Sequence, residues 1–231
     1  MKKIGLVGGT GPESTLMYYK ELNSRIDSMT GEKAMPDIAI ESVDFRRAWN
    51  YVCEKKYDAL AEYLAKKVRC LETAGCQVIS LTAVTMHIVF DDIVKKSGVR
   101  LPLVSIPKAV AQEAVARGVK KIGLLGTIFT MEQDYMKKDL QEAGIQVFIP
   151  ETSERQLVAK RIYEELEKGI VKESTLAEFI EIINKMKERD GIEGVVLGCT
   201  ELPLLLNSSN CPVACFDSVE IHIKKLIELA L

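Results

Sequence analysis

The sequence predicts an α/β protein built of two similar domains, each a mostly parallel sheet flanked by helices. Three observations lead to this fold class. A stretch of the first half of the chain recurs in the second half, short apolar runs alternate with helix-like segments in both copies, and these apolar runs are continuous. Continuous apolar strands are typical of parallel sheets that helices cover on both faces.

The internal repeat sets the domain organisation of the 231-residue chain. Residues 2–8 (KKIGLVG) recur as residues 120–126 (KKIGLLG), at an offset of 118. Residues 75–83 align with residues 191–199 at an offset of 116. Two separate segments that share nearly one offset indicate a duplicated unit of about 115 residues, which is the size of a domain.

We therefore predict two domains with the active site in the cleft between them. The first would hold residues 1–100 plus 209–231, and the second would hold residues 101–208. Apolar periodicity predicts the elements within each copy. In the first copy the strands fall at residues 4–7, 37–43 and 77–81, and the helices at residues 13–26 and 57–74. In the second copy the strands fall at residues 122–125, 146–149 and 194–197, and the helices at residues 132–143, 156–168 and 176–188.

The composition excludes several classes of protein. The net charge of −2 argues against a nucleic-acid protein held by bulk electrostatics, which would usually be basic. The longest uncharged stretch, residues 73–90, carries many polar side chains, so we predict a buried strand and the start of a site there, not a membrane span. The six cysteines show no metal-type spacing, so we expect no metal site, and free thiols in a cytoplasmic protein.

Four segments follow predicted strands and are rich in small and hydroxyl residues. Ligands of open α/β sheets bind beyond the carboxyl ends of the strands, so these segments are expected to face a ligand. In the first copy, glycines around Gly9 and Thr10 would let the backbone approach an anion at a helix start; a tight turn is the alternative. Thr127 and Thr130 lie in the matching loop of the second copy. The four segments are residues 8–15, 83–87, 126–131 and 198–201.

Cys199 directly follows the last predicted strand of the second copy and precedes Thr200 and Glu201. A cysteine at such a position can have a lowered pKa, which would suit a thiolate nucleophile or base. The alternative is a buried structural cysteine. The repeat offset places Cys199 opposite Ala83, a side chain that cannot move a proton.

Other polar residues lie near Ala83 or near the ends of other elements. Thr82, Thr85 and His87 flank Ala83, and for His87 the alternative is a residue whose imidazole is satisfied by the backbone. Arg46 and Arg47 follow a predicted strand, and an arginine fork suits a carboxylate. Lys160 lies on a predicted helix, and both it and the arginines could equally be solvated surface charges.

Several stretches together resemble one family, the aspartate/glutamate racemase superfamily, and within it the aspartate racemase branch. The resemblance extends from about residue 3 to residue 223, and the GCTELP segment is its most specific part. The stretches are GGTGPEST at residues 8–15, TMH at 85–87, LGTIFTME at 125–132, Lys160 before IYEEL, LGCTELPL at 197–204 and FDSVEIH at 216–222.

The resemblance implies cofactor-independent racemisation of an acidic amino acid by two cysteines on opposite faces of the α-carbon. Cys199 would be the second of these, and an aspartate- or dicarboxylate-like molecule would be the partner of a homodimeric enzyme. Lys160 and one of Arg46 and Arg47 would match the ligands of the substrate carboxylates. The loops would supply the remaining contacts, from Gly9, Thr10, Val84, Thr85, Thr127, Thr130, Thr200 and Glu201.

The chain departs from the family pattern at the first cysteine. The family reads Cys-Asn-Thr-Met-His where this sequence has Ala83-Val84-Thr85-Met86-His87. Racemisation would then be impaired or one-sided unless Thr82, Thr85, His87 or water substitutes. Two alternatives stay open: a single-cysteine relative such as a decarboxylase or a maleate-type isomerase, and a dicarboxylate-binding protein without turnover.

Overall fold

The computed structural model describes the whole chain, residues 1–231, and divides into two compact units. The first unit holds residues 1–105 and 222–231, and the second holds residues 106–221. The boundaries differ from those expected from the sequence at both junctions: residues 101–105 belong to the first unit, and residues 209–221 belong to the second. Their strand, Ala214–Asp217, pairs with Gly194–Leu197 of the second sheet, and this pairing outweighs the continuity of the chain with the first unit.

The first unit contains a parallel sheet of four strands in the order β2-β1-β3-β4. Helices cover both faces: Thr15 of α1 lies over Gly8 on one face, and Lys67 of α3 pairs with Glu41 at 2.9 Å on the other. Its elements are β1 (Ile4–Gly8), α1 (Pro12–Met29), β2 (Ile38–Ser42), α2 (Phe45–Cys53), α3 (Tyr57–Thr73), β3 (Val78–Leu81), α4 (Phe90–Ser97) and β4 (Leu103–Val104).

The second unit repeats this arrangement, with four parallel strands in the order β6-β5-β7-β8. Its elements are α5 (Ile106–Ala116), β5 (Lys121–Leu125), α6 (Ile128–Glu132), α7 (Lys138–Glu142), β6 (Gln146–Phe148), α8 (Thr152–Glu164), α9 (Glu173–Asp190), β7 (Gly194–Leu197) and β8 (Ala214–Asp217). A last helix, α10 (Ser218–Ala230), begins in this unit and ends in the first.

One predicted helix is wrong. Residues 132–143 do not form a continuous helix, because α6 ends at Glu132 and Gln133 has an extended backbone. Tyr135 in the intervening turn hydrogen bonds back to Thr130, with 2.9 Å between the hydroxyl oxygens. This local side-chain contact accompanies the break in the helix, which the apolar periodicity of the segment does not indicate.

The backbone at the ends of the central strands is the same in both units. The amide of Thr82 donates to the carbonyl of Val7 at 3.1 Å, and the amide of Gly198 donates to the carbonyl of Leu125 at 2.8 Å. These pairs are related by the two offsets of the repeat. The predicted fold class, two parallel sheets flanked by helices, is therefore confirmed. No helix is both long and apolar enough to cross a membrane.

Candidate active site

The loop after β1 is held tightly by its own residues. Gly9 has a φ of +85°, and a Cβ on it would lie 2.4 Å from the Ser42 hydroxyl oxygen, so only glycine fits. The Gly9 amide donates to Thr15 Oγ1 at 2.9 Å. The Gly9 amide is therefore used within the turn and is not free to bind an anion, as the tight-turn interpretation of this loop expects. The neighbouring Thr10 is buried and its hydroxyl has no partner, so it is the polar group of the loop that can receive a ligand.

Two threonine hydroxyls with different surroundings flank Ala83 at its strand end. Thr82 is fully buried, and its Oγ1 lies 3.3 Å from Thr15 Oγ1 and 3.4 Å from the carbonyl oxygen of Val7. Its hydroxyl is thus used inside the fold, which disagrees with the expectation that Thr82 takes part in catalysis. Thr85, by contrast, is half-buried and its hydroxyl makes no hydrogen bond. Ala83 and Val84 contribute only apolar surface between them.

His87 belongs to the interior of the first unit. Its Nδ1 lies 3.0 Å from the carbonyl oxygen of Ala83, and its ring stacks on Phe90. Burial lowers the pKa of His87 to about 4, so the imidazole is neutral near pH 7. The backbone-satisfied interpretation of His87 fits this geometry, and the imidazole does not act as a cation at the strand end.

A second buried histidine, which the sequence did not single out, lies behind His87. His222 of α10 pairs with the Tyr18 hydroxyl at 2.6 Å through Nδ1 and with the Ser80 hydroxyl at 2.8 Å through Nε2. Its ring meets that of His87 edge to face, with 6.5 Å between centroids. Burial and the neighbouring His87 lower the pKa of His222 to about 3. The chain has only these two histidines, and this scarcity is the feature of the sequence that could have pointed to His222.

The two candidate arginines lie in the first turn of α2, where they differ in their contacts. The Arg47 guanidinium donates to the Tyr51 hydroxyl at 3.1 Å and lies 4.6 Å from the Tyr63 ring centroid. Its pKa is raised chiefly by the hydrogen bond to Tyr51. Arg46 is exposed and its side chain has no partner. Arg46 is therefore the guanidinium that is free to take a carboxylate.

Hydroxyl groups also line the strand end of β5 in the second unit. Thr127 caps α6 by accepting from the Thr130 amide at 3.2 Å. The Thr130 hydroxyl oxygen lies 3.1 Å from that of Thr127 and 2.9 Å from that of Tyr135, so the three hydroxyls form one hydrogen-bonded series. The Thr130 methyl lies so close to Gly126 and Gly198 that a Cβ on either would come within 2.9 Å of it. Small residues at both strand ends are thus required by the packing of Thr130.

Cys199 lies at the carboxyl end of β7, and its thiol donates to Glu201 Oε2 at 2.8 Å. Burial raises its pKa well above the usual value, and the negative charge of Glu201 and the hydrogen bond to it act in the same direction. The expectation of a lowered pKa is therefore wrong. Cys199 does follow a strand, but burial and the Glu201 carboxylate outweigh the hydrogen bond from the Glu201 backbone, which lowers the pKa. The resting thiol is protonated.

A second carboxylate, Glu167, accompanies this pair. Its pKa is raised, first by desolvation and then by the charge of Glu201, and its own charge adds to the rise at Cys199. Glu167 follows α8 and lies far from Glu201 in sequence, so no local motif could have indicated it. Thr200, between Cys199 and Glu201, is half-buried and its hydroxyl is free.

Lys160 lies on the outer part of α8. Its side chain is 60% exposed, and its ammonium nitrogen is 4.0 Å from Glu164 Oε2 one turn later. Such a pair contributes little to stability, which leaves the lysine free to bind an anion. No contact places Lys160 against Cys199. No cluster of three or more His, Cys, Asp or Glu side chains in the chain is suited to a metal ion.

The strand end of the second unit carries a titratable thiol, Cys199, where that of the first unit carries Ala83. The fold and this Cys199–Glu201 pair define a protein of the racemase type. The sequence profile of the Asp/Glu/hydantoin racemase family matches residues 7–226, nearly the whole chain. The chain belongs to that racemase family, which supports an isomerase enzyme.

Individual relatives agree with this assignment. An aspartate racemase homologue from Pyrococcus horikoshii OT3 is 42% identical, with a TM-score of 0.89 over 100% of this chain and 99% of that one. A Yersinia pestis protein provisionally assigned as an Asp/Glu racemase is 36% identical, with a TM-score of 0.93 over 100% and 99% of the two chains. The glutamate racemase of Shewanella woodyi is 32% identical over 114 residues, which are 48% of this chain and 40% of that protein.

Proposed function

We propose that this protein is a cofactor-independent racemase of aspartate or a similar acidic amino acid, with Cys199 as its proton-transfer group. The observation that carries the proposal is the hydrogen bond from the Cys199 thiol to Glu201 Oε2 at 2.8 Å, at the end of a central parallel strand. A thiol paired with a carboxylate can both give and receive a proton, which is the chemistry that racemisation requires at an α-carbon.

The protonated resting state of Cys199 sets the direction of the first step. Before the sulfur can remove an α-proton, the thiol proton must pass to Glu201, whose Oε2 already accepts it. The thiolate then takes the α-proton, and the electron pair of the C–H bond delocalises into the substrate carboxylate. In the opposite direction, the thiol donates its proton to the carbanion and Glu201 reprotonates the sulfur.

The first unit offers no equivalent group. Ala83 occupies the position that matches Cys199 in the repeat, and the Thr82 hydroxyl beside it is already hydrogen bonded inside the fold. Water, or the free hydroxyl of Thr85, must then protonate the second face of the α-carbon. Because neither is a good proton donor at neutral pH, we expect exchange of the α-proton to be faster than inversion.

The substrate carboxylates would be held by groups that the fold leaves without a partner or, for Lys160, with only a long surface ion pair. We assign this role to the Arg46 guanidinium and the Lys160 ammonium, with the Thr10, Thr85 and Thr200 hydroxyls as further donors. An arginine can bind a carboxylate through two parallel hydrogen bonds, which suits the side-chain carboxylate of aspartate. A neutral His87 is compatible with this assignment because it adds no competing charge.

The test is exchange of the α-proton in D₂O, measured by NMR for each enantiomer of aspartate and of glutamate. Chiral chromatography of the same samples measures inversion. We expect one enantiomer to lose its α-proton signal faster than its mirror image forms. Absence of exchange with all four compounds would contradict the racemase proposal for these substrates, and calorimetry would then show whether the protein binds them without turnover.

A single-cysteine decarboxylase is the second candidate. It is favoured by one observation, that the single thiol that follows the carboxyl end of a central strand, Cys199, keeps its hydrogen in a bond to Glu201. Loss of CO₂ from a malonate-type acid leaves an enolate that needs a single proton donor, and Cys199 could supply it. Release of CO₂ from substituted malonates, without exchange of aspartate, would favour this function over racemisation. Conversion of maleate would instead indicate the isomerase alternative.

A further inference from the structure

The motif FDSVEIH at residues 216–222 spans the end of β8 and the start of α10, and the proposed function uses none of its side chains. The Asp217 carboxylate accepts from the Val219 amide at 2.9 Å and from the Glu220 amide at 3.1 Å, so it caps the first turn of α10. The cap fixes the position of the residue that joins the strand to this turn, Ser218, whose side chain is fully buried.

The Ser218 hydroxyl donates to the carbonyl oxygen of Leu197 at 2.6 Å. Leu197 is the last residue of β7, is fully buried, and lies two residues before Cys199. The parallel ladder between β7 and β8 ends at the pair of Leu197 and Asp217. The Ser218 side chain therefore adds a further hydrogen bond to this edge of β7, beyond the end of the ladder.

The opposite edge of β7 is held by β5 and α6. The Gly198 amide donates to the carbonyl oxygen of Leu125 at 2.8 Å. A Cβ on Gly198 would lie 2.9 Å from that oxygen and 2.9 Å from the Thr130 methyl, so the backbone has no room to move in this direction. The peptide that leads into Cys199 is thus fixed from one edge by Leu125 and Thr130 and from the other by Ser218.

The first unit holds the matching carbonyl less tightly. The repeat aligns Leu197 with Leu81, which lies two residues before Ala83. The hydroxyl oxygen of Ser80 is 3.3 Å from the Leu81 carbonyl oxygen, but its shorter bond, 2.7 Å long, goes to the carbonyl of Val104. The short hydroxyl bond to this carbonyl is therefore found in the unit that carries the thiol.

We propose that Ser218 is a positioning residue for Cys199, a role that rests on the proposed function of this thiol in proton transfer. The hydroxyl acts through the carbonyl of Leu197 and holds the end of β7. The chain turns directly after this end, and the thiol makes its 2.8 Å bond to Glu201 within the turn. A shift of the strand end would move the sulfur relative to Glu201 and to the α-carbon, and a misplacement of about 1 Å can cost about 10²-fold in rate.

Ser218→Ala removes the hydroxyl, and the first test is its effect on exchange of the α-proton of aspartate in D₂O. We expect kcat to fall by about 10- to 10²-fold and KM to stay within about twofold, because a buried hydroxyl that acts through the backbone binds no substrate. Ser97→Ala is the matched control, since Ser97 is also buried and donates to the Val94 carbonyl at 3.1 Å, and it should keep the wild-type rate. An equal fall of kcat in both variants would overturn the proposal.

The second test is the pH profile of alkylation of Cys199 by iodoacetamide, which needs no substrate. Burial is the main cause of the raised pKa of Cys199, so a loosened strand end admits water and lowers this pKa. In Ser218→Ala we expect alkylation of the Cys199 peptide to begin about one pH unit lower. The buried Cys76 of the first unit is the internal control and should keep its profile. An unchanged profile at Cys199, or equal changes at Cys199 and Cys76, would overturn the proposal.

Ser218→Cys keeps the test decisive where Ser218→Ala does not fold. A thiol is close to a hydroxyl in size but is a weak donor, so the Cys199 profile should move in the same direction and by less. The two tests also separate this role from the racemase proposal. A shifted profile in a protein that exchanges no aspartate would contradict racemisation and support the positioning role, whereas exchange that Ser218→Ala leaves unchanged would contradict the positioning role alone.

Discussion

The two units of this molecule share one backbone plan but end their central strands on different side chains. Both sheets have the same strand order and parallel pairing, and the hydrogen bonds from Thr82 to Val7 and from Gly198 to Leu125 are equivalent. One residue later, the first unit presents Ala83 and the second presents Cys199. Duplication has therefore kept the geometry of the strand end, whereas the capacity to move a proton is present in one copy only.

The two units also differ in the charge of their buried polar groups. The first unit buries a neutral network of His222, Tyr18 and Ser80. The second buries an ionised carboxylate, Glu165, which accepts from Arg161 and Lys172 and from the Thr175 hydroxyl. These bonds lower the pKa of Glu165 to about 2, chiefly through Thr175. Two units of the same topology thus satisfy their buried polar groups differently, the first by hydrogen bonds among neutral side chains and the second by pairing a charge.

The largest expected effect comes from making the second strand end like the first. Cys199→Ala removes the only titratable side chain proposed to contact the α-carbon, so exchange of the α-proton should fall by about 10²–10⁴-fold. NMR exchange in D₂O measures it. Cys76→Ala, which also truncates a buried cysteine but lies outside the site, should exchange at the wild-type rate. Unchanged exchange in Cys199→Ala would remove the basis of the proposed function.

The reciprocal change makes the first strand end like the second. Ala83→Cys supplies a thiol at the position that the repeat matches to Cys199, so inversion of aspartate should rise by about 10²-fold or more, towards the rate of exchange. Chiral chromatography follows the product. Ala83→Ser is a control of similar size with a poorer proton donor and should gain much less. If neither variant alters inversion, residues 83 and 199 do not act on one substrate.

Glu201→Gln tests the cause of the raised pKa of Cys199. The substitution removes the negative charge beside Cys199, so the pKa of Cys199 should fall and its alkylation by iodoacetamide should begin at lower pH. Mass spectrometry of the Cys199 peptide gives the rate at each pH. Glu167→Gln should shift the profile in the same direction but less, because Glu167 acts only through its charge. A rise in the pKa of Cys199 in either variant would contradict the assigned electrostatics.

The last expected effects concern acid stability, where the contribution of the first unit should begin to fall at higher pH than that of the second. His87 and His222 have pKa values of about 4 and about 3, below that of an unfolded histidine. Unfolding then takes up protons, so their stabilisation is present above about pH 6.5 and is lost as the pH falls to about 4 for His87 and about 3 for His222. The pKa of Glu165 lies below that of an unfolded carboxyl, so its contribution is lost only between about pH 4.5 and 2.

Urea unfolding at a series of pH values separates the two ranges. His87→Phe should lose less stability than the wild type between pH 6.5 and 4, by up to about 3 kcal/mol at the acid end, because it removes a histidine whose pKa is lowered by burial. Thr175→Val, which removes the main hydrogen bond to Glu165, should instead flatten the profile below pH 4.5. The same response from both variants would show that the two networks are not separate.

Much of the fold could be predicted because it depends on local pattern. Strands β3 and β7 coincide with the predicted strands to within a residue, since a strand buried on both faces is mostly apolar. The helix predicted at residues 132–143 is interrupted where Tyr135 bonds to Thr130, a contact that periodicity does not record. The predicted assignment of residues 209–221 to the first domain also differs from the structure, because the pairing of Ala214–Asp217 with Gly194–Leu197 places this strand in the second sheet.

The sequence alone determined the duplication, the fold class and the contrast between Ala83 and Cys199, because each is written in the order of residues along the chain. The tertiary structure alone decided the electrostatics. A raised pKa at Cys199, a neutral His87 and the availability of Arg46 but not Arg47 all depend on which distant side chains lie within a few ångströms. Burial and Coulomb interactions act through space, so spacing along the chain cannot report them.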